Sequence, residues 1–138
     1  MIISPTGLGM RNDSKGAGHF GAPRGNRKHA GYDFLCIPWQ SVCCPIDDAT
    51  IVRIARPYDD LEYSGAVIEA ARITIKMFYF EVNANLIGKK VRQGEAIGHA
   101  QDISKRYGPS MRPHVHLEII AIDPAVLLGN GRALTTNQ

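Results

Sequence analysis

The chain has 138 residues, of which 44% are hydrophobic and 21% charged, with a formal charge of +3. That length and balance suit one domain, residues 1–138, with a real buried core. The small charge fits an anionic partner but, with no stripe of basic and aromatic residues, excludes a nucleic-acid-binding reading, and no apolar run is long enough to span a membrane.

Fourteen glycines and eight prolines predict frequent turns and a mainly β fold with little helix. The start, Met1-Ile2-Ile3-Ser4-Pro5, has neither a basic opening nor an apolar core. No secretory signal is expected there, and synthesis in the cytoplasm is. Residues 1 to 28 show little periodicity, and Gly16, Gly18, Gly21, Pro23 and Gly25 make an irregular approach to His29. His19 in that approach is either a solvated loop residue or a neighbour of a site. Arg24, Arg27 and Lys28 form either a solvated basic loop or a contact for substrate carboxylates.

His29 and Asp33 stand four apart around Gly31, a spacing that fits one face of an extended segment. Residues 32 to 46 read as strands broken at Pro38 and Pro45. Trp39, the only tryptophan, is either a core or a groove residue, with packing favoured. Cys36, Cys43 and Cys44 lack metal-ligand spacing and are expected as reduced, partly buried thiols. Thr50–Ala55, Ala66–Ala70 and Arg72–Phe80 are strand candidates by alternation and β-branching. Between the first two, Pro57 to Gly65 is an acidic, turn-rich loop that can wall a groove. Gly88 to Gly98 reads as a strand, a tight Gln93-Gly94 turn and a return strand. Asp102–Tyr107 suggests one short helical turn, Pro124–Leu128 a short closing helix, and Gly129–Gln138 a frayed end.

The run His114-Val115-His116-Leu117-Glu118-Ile119-Ile120 reads as a strand. Residues two apart share a face, so His114 and His116 point the same way. Such a pair is either two surface histidines or a metal or proton-transfer site. Two histidines and one aspartate make the N/N/O donor set of a catalytic zinc with a fourth position for water.

The pieces His29-Ala30-Gly31-Tyr32-Asp33 and His114-Val115-His116 resemble the lysostaphin/LytM-type zinc peptidases, family M23. So do Phe20-Gly21 with Arg24, the Gly88–Gly98 run and Asp123-Pro124, so the likeness covers about residues 18 to 128. It implies an antiparallel β-sheet or sandwich, a zinc ion held by His29, Asp33 and His116, and His114 as the catalytic histidine. Members usually carry a further histidine in a Tyr-x-His-Leu strand. Here the corresponding stretch is Phe78-Tyr79-Phe80-Glu81-Val82, with Glu81 and His99 as possible stand-ins. That gap, with the Met-x-x-His-x-His form, resembles phage-encoded members, for which a lysis or virion-associated role is expected.

The implied activity is zinc-dependent hydrolysis of peptide bonds in stem or cross-bridge peptides of bacterial peptidoglycan. Two readings from other classes stand beside it. One is a weak or inactive wall-binding or phage structural module that keeps the metal fold. The other is a carrier-type β-barrel, which the absence of a lysine at the Gln93-Gly94 tip disfavours.

Overall fold

The computed structural model describes residues 1–24 and 27–123. The helix expected at 124–128, Pro124 of the Asp-Pro match and the end at 129–138 lie outside the described residues. The expected acidic loop, strands and single helical turn can be followed through the rest.

Two short hairpins open the chain: β1 (Asn12–Asp13) with β2 (Gly16–Ala17), and β3 (Pro23–Arg24) with β4 (Arg27–Lys28). Then come β5 (Tyr32–Leu35), β6 (Ser41–Cys43), β7 (Ala49–Ala55), β8 (Gly65–Glu69), β9 (Ile73–Phe78) and β10 (Phe80–Val82). A short 3-10 turn at Ala84–Leu86 leads to β11 (Lys90–Val91) and β12 (Ala96–Ala100). A one-turn helix, α1 (Ser104–Tyr107), precedes β13 (His114–Ile122). Six strands form an antiparallel sheet in the order β11-β7-β8-β9-β13-β5, and three form a second sheet, β10-β12-β6. This is the mainly β, antiparallel fold that the sequence predicts.

The core is one cluster that joins the two sheets. Ile51, Ile68, Ile75, Met77, Val115 and Leu117 come from the large sheet, and Val42, Phe80, Val82 and Ile97 from the small one. Strand alternation then fixes what faces away from the core. On β13, Val115 and Leu117 are buried in the cluster, so His114, His116 and Glu118 stand on the outer face of the large sheet. β13 lies between β9 and β5, with His116 opposite Phe78 on one side and Asp33 on the other.

Three local features differ from the sequence reading. The strand expected over 72–80 breaks at Tyr79, whose φ is +75°. Ser64 accepts hydrogen bonds from the Tyr79 and Phe80 amides at 2.8 and 3.2 Å, and the chain passes from the large sheet to the small one there. The turn before Gly94 forms, with the Glu95 N–H donating to Arg92 at 3.0 Å, but β11 and β12 do not pair with each other. They join different sheets, β11 to β7 and β12 to β10 and β6. Trp39 is not packed: it is 60% exposed. The three cysteines are free thiols, two of them buried. No helix among the described residues is long and apolar enough to cross a membrane.

Candidate metal centre

The aperiodic N-terminal segment is held by backbone hydrogen bonds rather than by an apolar face. The Arg11 amide donates to Asp33 O, the Asp33 amide to Gly18 O and the Gly18 amide to Arg11 O, each at 2.7 Å. A Cβ on Gly18 would lie 2.8 Å from the Asp33 carbonyl, so the segment crosses β5 closely only because this residue is glycine. The segment places the Arg11 side chain behind Asp33 and Arg24 beside it. Gly31 is constrained in the same way: a Cβ there would meet the Leu117 carbonyl at 2.4 Å and the His116 ring at 2.8 Å. It lets the His29–Asp33 segment lie against β13.

One donor atom from each of His29, Asp33 and His116 falls within 4.8 Å of the others. His29 Nε2 is 3.1 Å from His116 Nδ1 and 3.2 Å from Asp33 Oδ1, and His116 Nδ1 is 2.9 Å from Asp33 Oδ1. Ligands about 2.0–2.1 Å from a tetrahedral zinc lie about 3.3 Å from one another, so the spacing of this trio fits such an ion. Outer partners fix which nitrogen of each ring faces inward. His29 Nδ1–H donates to the His19 carbonyl at 3.1 Å, which leaves the Nε2 lone pair toward the trio. His116 Nε2–H donates to Glu118 Oε1 at 2.9 Å, which leaves the Nδ1 lone pair there as well. With neutral rings, two nitrogen lone pairs and a carboxylate oxygen meet with no hydrogen among them. That arrangement is repulsive unless a cation sits between them.

The electrostatics follow the same geometry. Burial works to raise the Asp33 carboxyl, but with no ion between them a proton taken up by His116 or His29 lies against Oδ1, and these contacts outweigh burial and hold the carboxyl well below the usual carboxylate range. Arg11 Nε at 3.3 Å and Arg24 Nη2 at 3.6 Å both address Oδ2, leaving Oδ1 to the trio. Arg11 is itself only 2% exposed and also pairs with Asp13 at 2.8 Å. Burial opposes charge on His116, yet its bonds to Asp33 and Glu118 raise its pKa above the ordinary imidazole value.

His114 sits beside the trio. Its Nδ1–H donates to the Arg112 carbonyl at 2.8 Å, and its Nε2 faces Asp33 Oδ2 at 3.6 Å. Burial lowers its pKa, so the ring is neutral with its Nε2 lone pair available. A cavity of about 470 Å³ opens over the four residues, walled by Pro57 and Tyr58 of the acidic loop, Tyr79, Tyr107 and Met111.

The structure thus gathers His29, Asp33, His114 and His116. Glu81 and His99 do not join them: they pair with each other across β10 and β12 and line a different groove. The residue turned toward His114 is Tyr79, edge-on at 5.4 Å between ring centres, with its hydroxyl 3.2 Å from that of Tyr58. His19 is exposed and contributes its carbonyl instead of its ring. Tyr58 belongs to the loop expected to wall a groove, whereas Arg11 and Tyr79 were not legible as site residues. Arg11 lies in an aperiodic segment, and Tyr79 lies in a run that reads as uninterrupted strand.

No protein-family model matches the chain. Over 119 residues it is 29% identical to leukocyte cell-derived chemotaxin-2 of Bos taurus, a match covering 84% of this chain and 76% of that protein. The Mus musculus protein of the same name is 30% identical over 111 residues, covering 77% and 69%. Among solved structures, the catalytic domain of the antimicrobial peptidase lysostaphin from Staphylococcus simulans is similar, with a TM-score of 0.54 and 21% identity. That match covers 80% of this chain and 88% of the other. The fold is therefore that of the lysostaphin catalytic domain. The relatives are mammalian proteins, and the phage origin expected from sequence finds no support in them.

Proposed function

The chain belongs to the family of leukocyte cell-derived chemotaxin-2, and from that premise we propose that it is a zinc-holding domain that engages peptides of the bacterial wall. In this reading His114 is, among the described residues, the group placed to take a proton in hydrolysis. The observation that carries it is the inward focus of the His29 and His116 lone pairs and Asp33 Oδ1 on one point, each imidazole held by an outer partner. The ligands are His29, Asp33 and His116. A zinc ion there would polarise a scissile carbonyl and acidify an attacking water. Arg11 and Arg24 orient Asp33 through its Oδ2. His114, anchored through Nδ1–H, accepts a proton at Nε2. The aromatic wall of Tyr58, Tyr79 and Tyr107 shields the site and packs against a bound peptide.

A second reading, binding with little or no turnover, is favoured by Tyr79. The family resembled in sequence uses a second histidine, whereas this site offers a phenol. Burial and the neighbouring charges raise that phenol's pKa, so it donates hydrogen bonds but is no base near neutral pH. The mammalian relatives are moreover named for chemotaxis.

Incubating the zinc-loaded protein with purified peptidoglycan separates the readings. New amino termini by mass spectrometry mean endopeptidase, and sedimentation with the wall without products means a binding module. The absence of both products and binding contradicts the wall as partner.

A further inference from the structure

On the outer face of the small sheet lies a groove of about 590 Å³, lined by Trp39, Ser41, Glu81, Asn83, Gly98 and His99. We propose that this groove binds a saccharide, with Trp39 as the platform for a sugar ring and the strand side chains as its hydrogen-bonding partners.

Trp39 carries the argument first. It occupies a turn in which the Gln40 N–H donates to the Ile37 carbonyl at 3.0 Å, with Pro38 and Trp39 at the central positions. The φ of Trp39 is +72°, in the left-handed region. A turn with proline second and positive φ third has the form that favours glycine in the third position. A tryptophan there gains nothing from the turn, and at 60% exposure it gains little from the core. The Lys105 ammonium lies over the indole, 5.6 Å from the ring centre. A residue held in a strained conformation and left open to solvent points to a ligand.

The floor of the groove supplies the chemistry. His99 is the cross-strand partner of Glu81 on one side and Ser41 on the other. Directly opposed residues share a face, and all three are exposed while Phe80, Val82, Ile97 and Val42 beneath them belong to the core. The row offers a carboxylate, an imidazole and a hydroxyl at fixed strand spacing, and Asn83 adds an amide. Among the described residues no cluster of cations lines the groove to receive a polyanion, and its apolar members besides Trp39, namely Val82, Ala84 and Ala96, are small side chains interleaved with the polar ones. A ring with hydroxyls on its edge and C–H groups on its face matches donors and acceptors beside an indole. The volume lies within the range of small-ligand sites. α1 contributes to both places: Lys105 lies over Trp39, and Tyr107 lines the metal cavity.

Trp39 is the only tryptophan, so its fluorescence reports this groove directly. Titration of the zinc-loaded protein with chitotriose, a β-linked trimer of N-acetylglucosamine, is expected to shift its emission saturably. A sugar-free wall stem peptide is expected to leave it unchanged. Glu81→Gln and Asn83→Ala should each weaken saccharide binding about tenfold with unaltered melting, and Trp39→Ala should abolish the calorimetric signal. His116→Ala should retain the saccharide response, so that failure of the metal reading and failure of this one are told apart. Absence of a saturable response, or an affinity indifferent to both Glu81→Gln and Asn83→Ala, overturns the proposal. An emission shift that grows with protein concentration and needs no sugar overturns it as well, since a second copy then covers the face.

Discussion

At the scale of single residues, the proposed function assigns different work to two histidines of one strand. His116 turns Nδ1 to His29 and Asp33, whereas His114 turns Nε2 to the rim of the same cluster. If wall peptides are cleaved, His114→Ala should keep zinc and lower turnover by about 10²–10⁴-fold, the usual worth of a general base. Equal loss of zinc in this variant would show that His114 is a ligand instead. Protons compete with the metal at the same atoms. Asp33 is held ionised, so it takes no part in that competition. The raised pKa of His116 means that the free site takes up a proton already above the ordinary value of about 6.5. Zinc affinity should therefore decline as pH falls through that point, by about tenfold per unit for each proton displaced. Chelator competition between about pH 5 and 8 reads this directly, and a flat profile would rule the proton competition out.

At the scale of elements, the site depends on where strands change sheets and how closely they approach. β8 meets β9 at Gly65, where a Cβ would lie 1.7 Å from the Met77 carbonyl. The next residues of the same crossing turn Tyr79 into the cavity. Gly65→Ala should thus cost about 3 kcal/mol, the upper end for overpacking, measured by urea unfolding. An unchanged midpoint would mean that the strands part without strain. These elements also show what a sequence can reveal. The shared face of His114 and His116 was legible because a period of two is local. The pairing of β13 with β5, which sets His116 against Asp33, is long-range, and residue spacing alone does not give it. The break at Tyr79 stayed hidden because β-forming residues continue on both sides of it. The placing of Arg11 was equally hidden, since backbone hydrogen bonds rather than an apolar pattern hold its segment. Packing was favoured for Trp39 because tryptophan is highly buried on average, and the turn that carries it outward is a local feature of the four residues Ile37 to Gln40.

For the molecule as a whole, the core and the centre lie on opposite faces of the large sheet. The apolar cluster between the sheets contains none of the four site residues. Metal removal should therefore leave a folded protein of lower melting temperature. A free zinc concentration a hundred times the dissociation constant should stabilise it by about 2.7 kcal/mol. Calorimetric scans with and without chelator test this, and unfolding on chelation at room temperature would mean that the metal supports the core. The central claim is the trio itself, and metal content after equilibration with zinc and desalting tests it most directly. Wild type should hold stoichiometric zinc and His116→Ala almost none while keeping the wild-type circular dichroism spectrum. A folded His116→Ala protein that retains the wild-type zinc content would contradict the account.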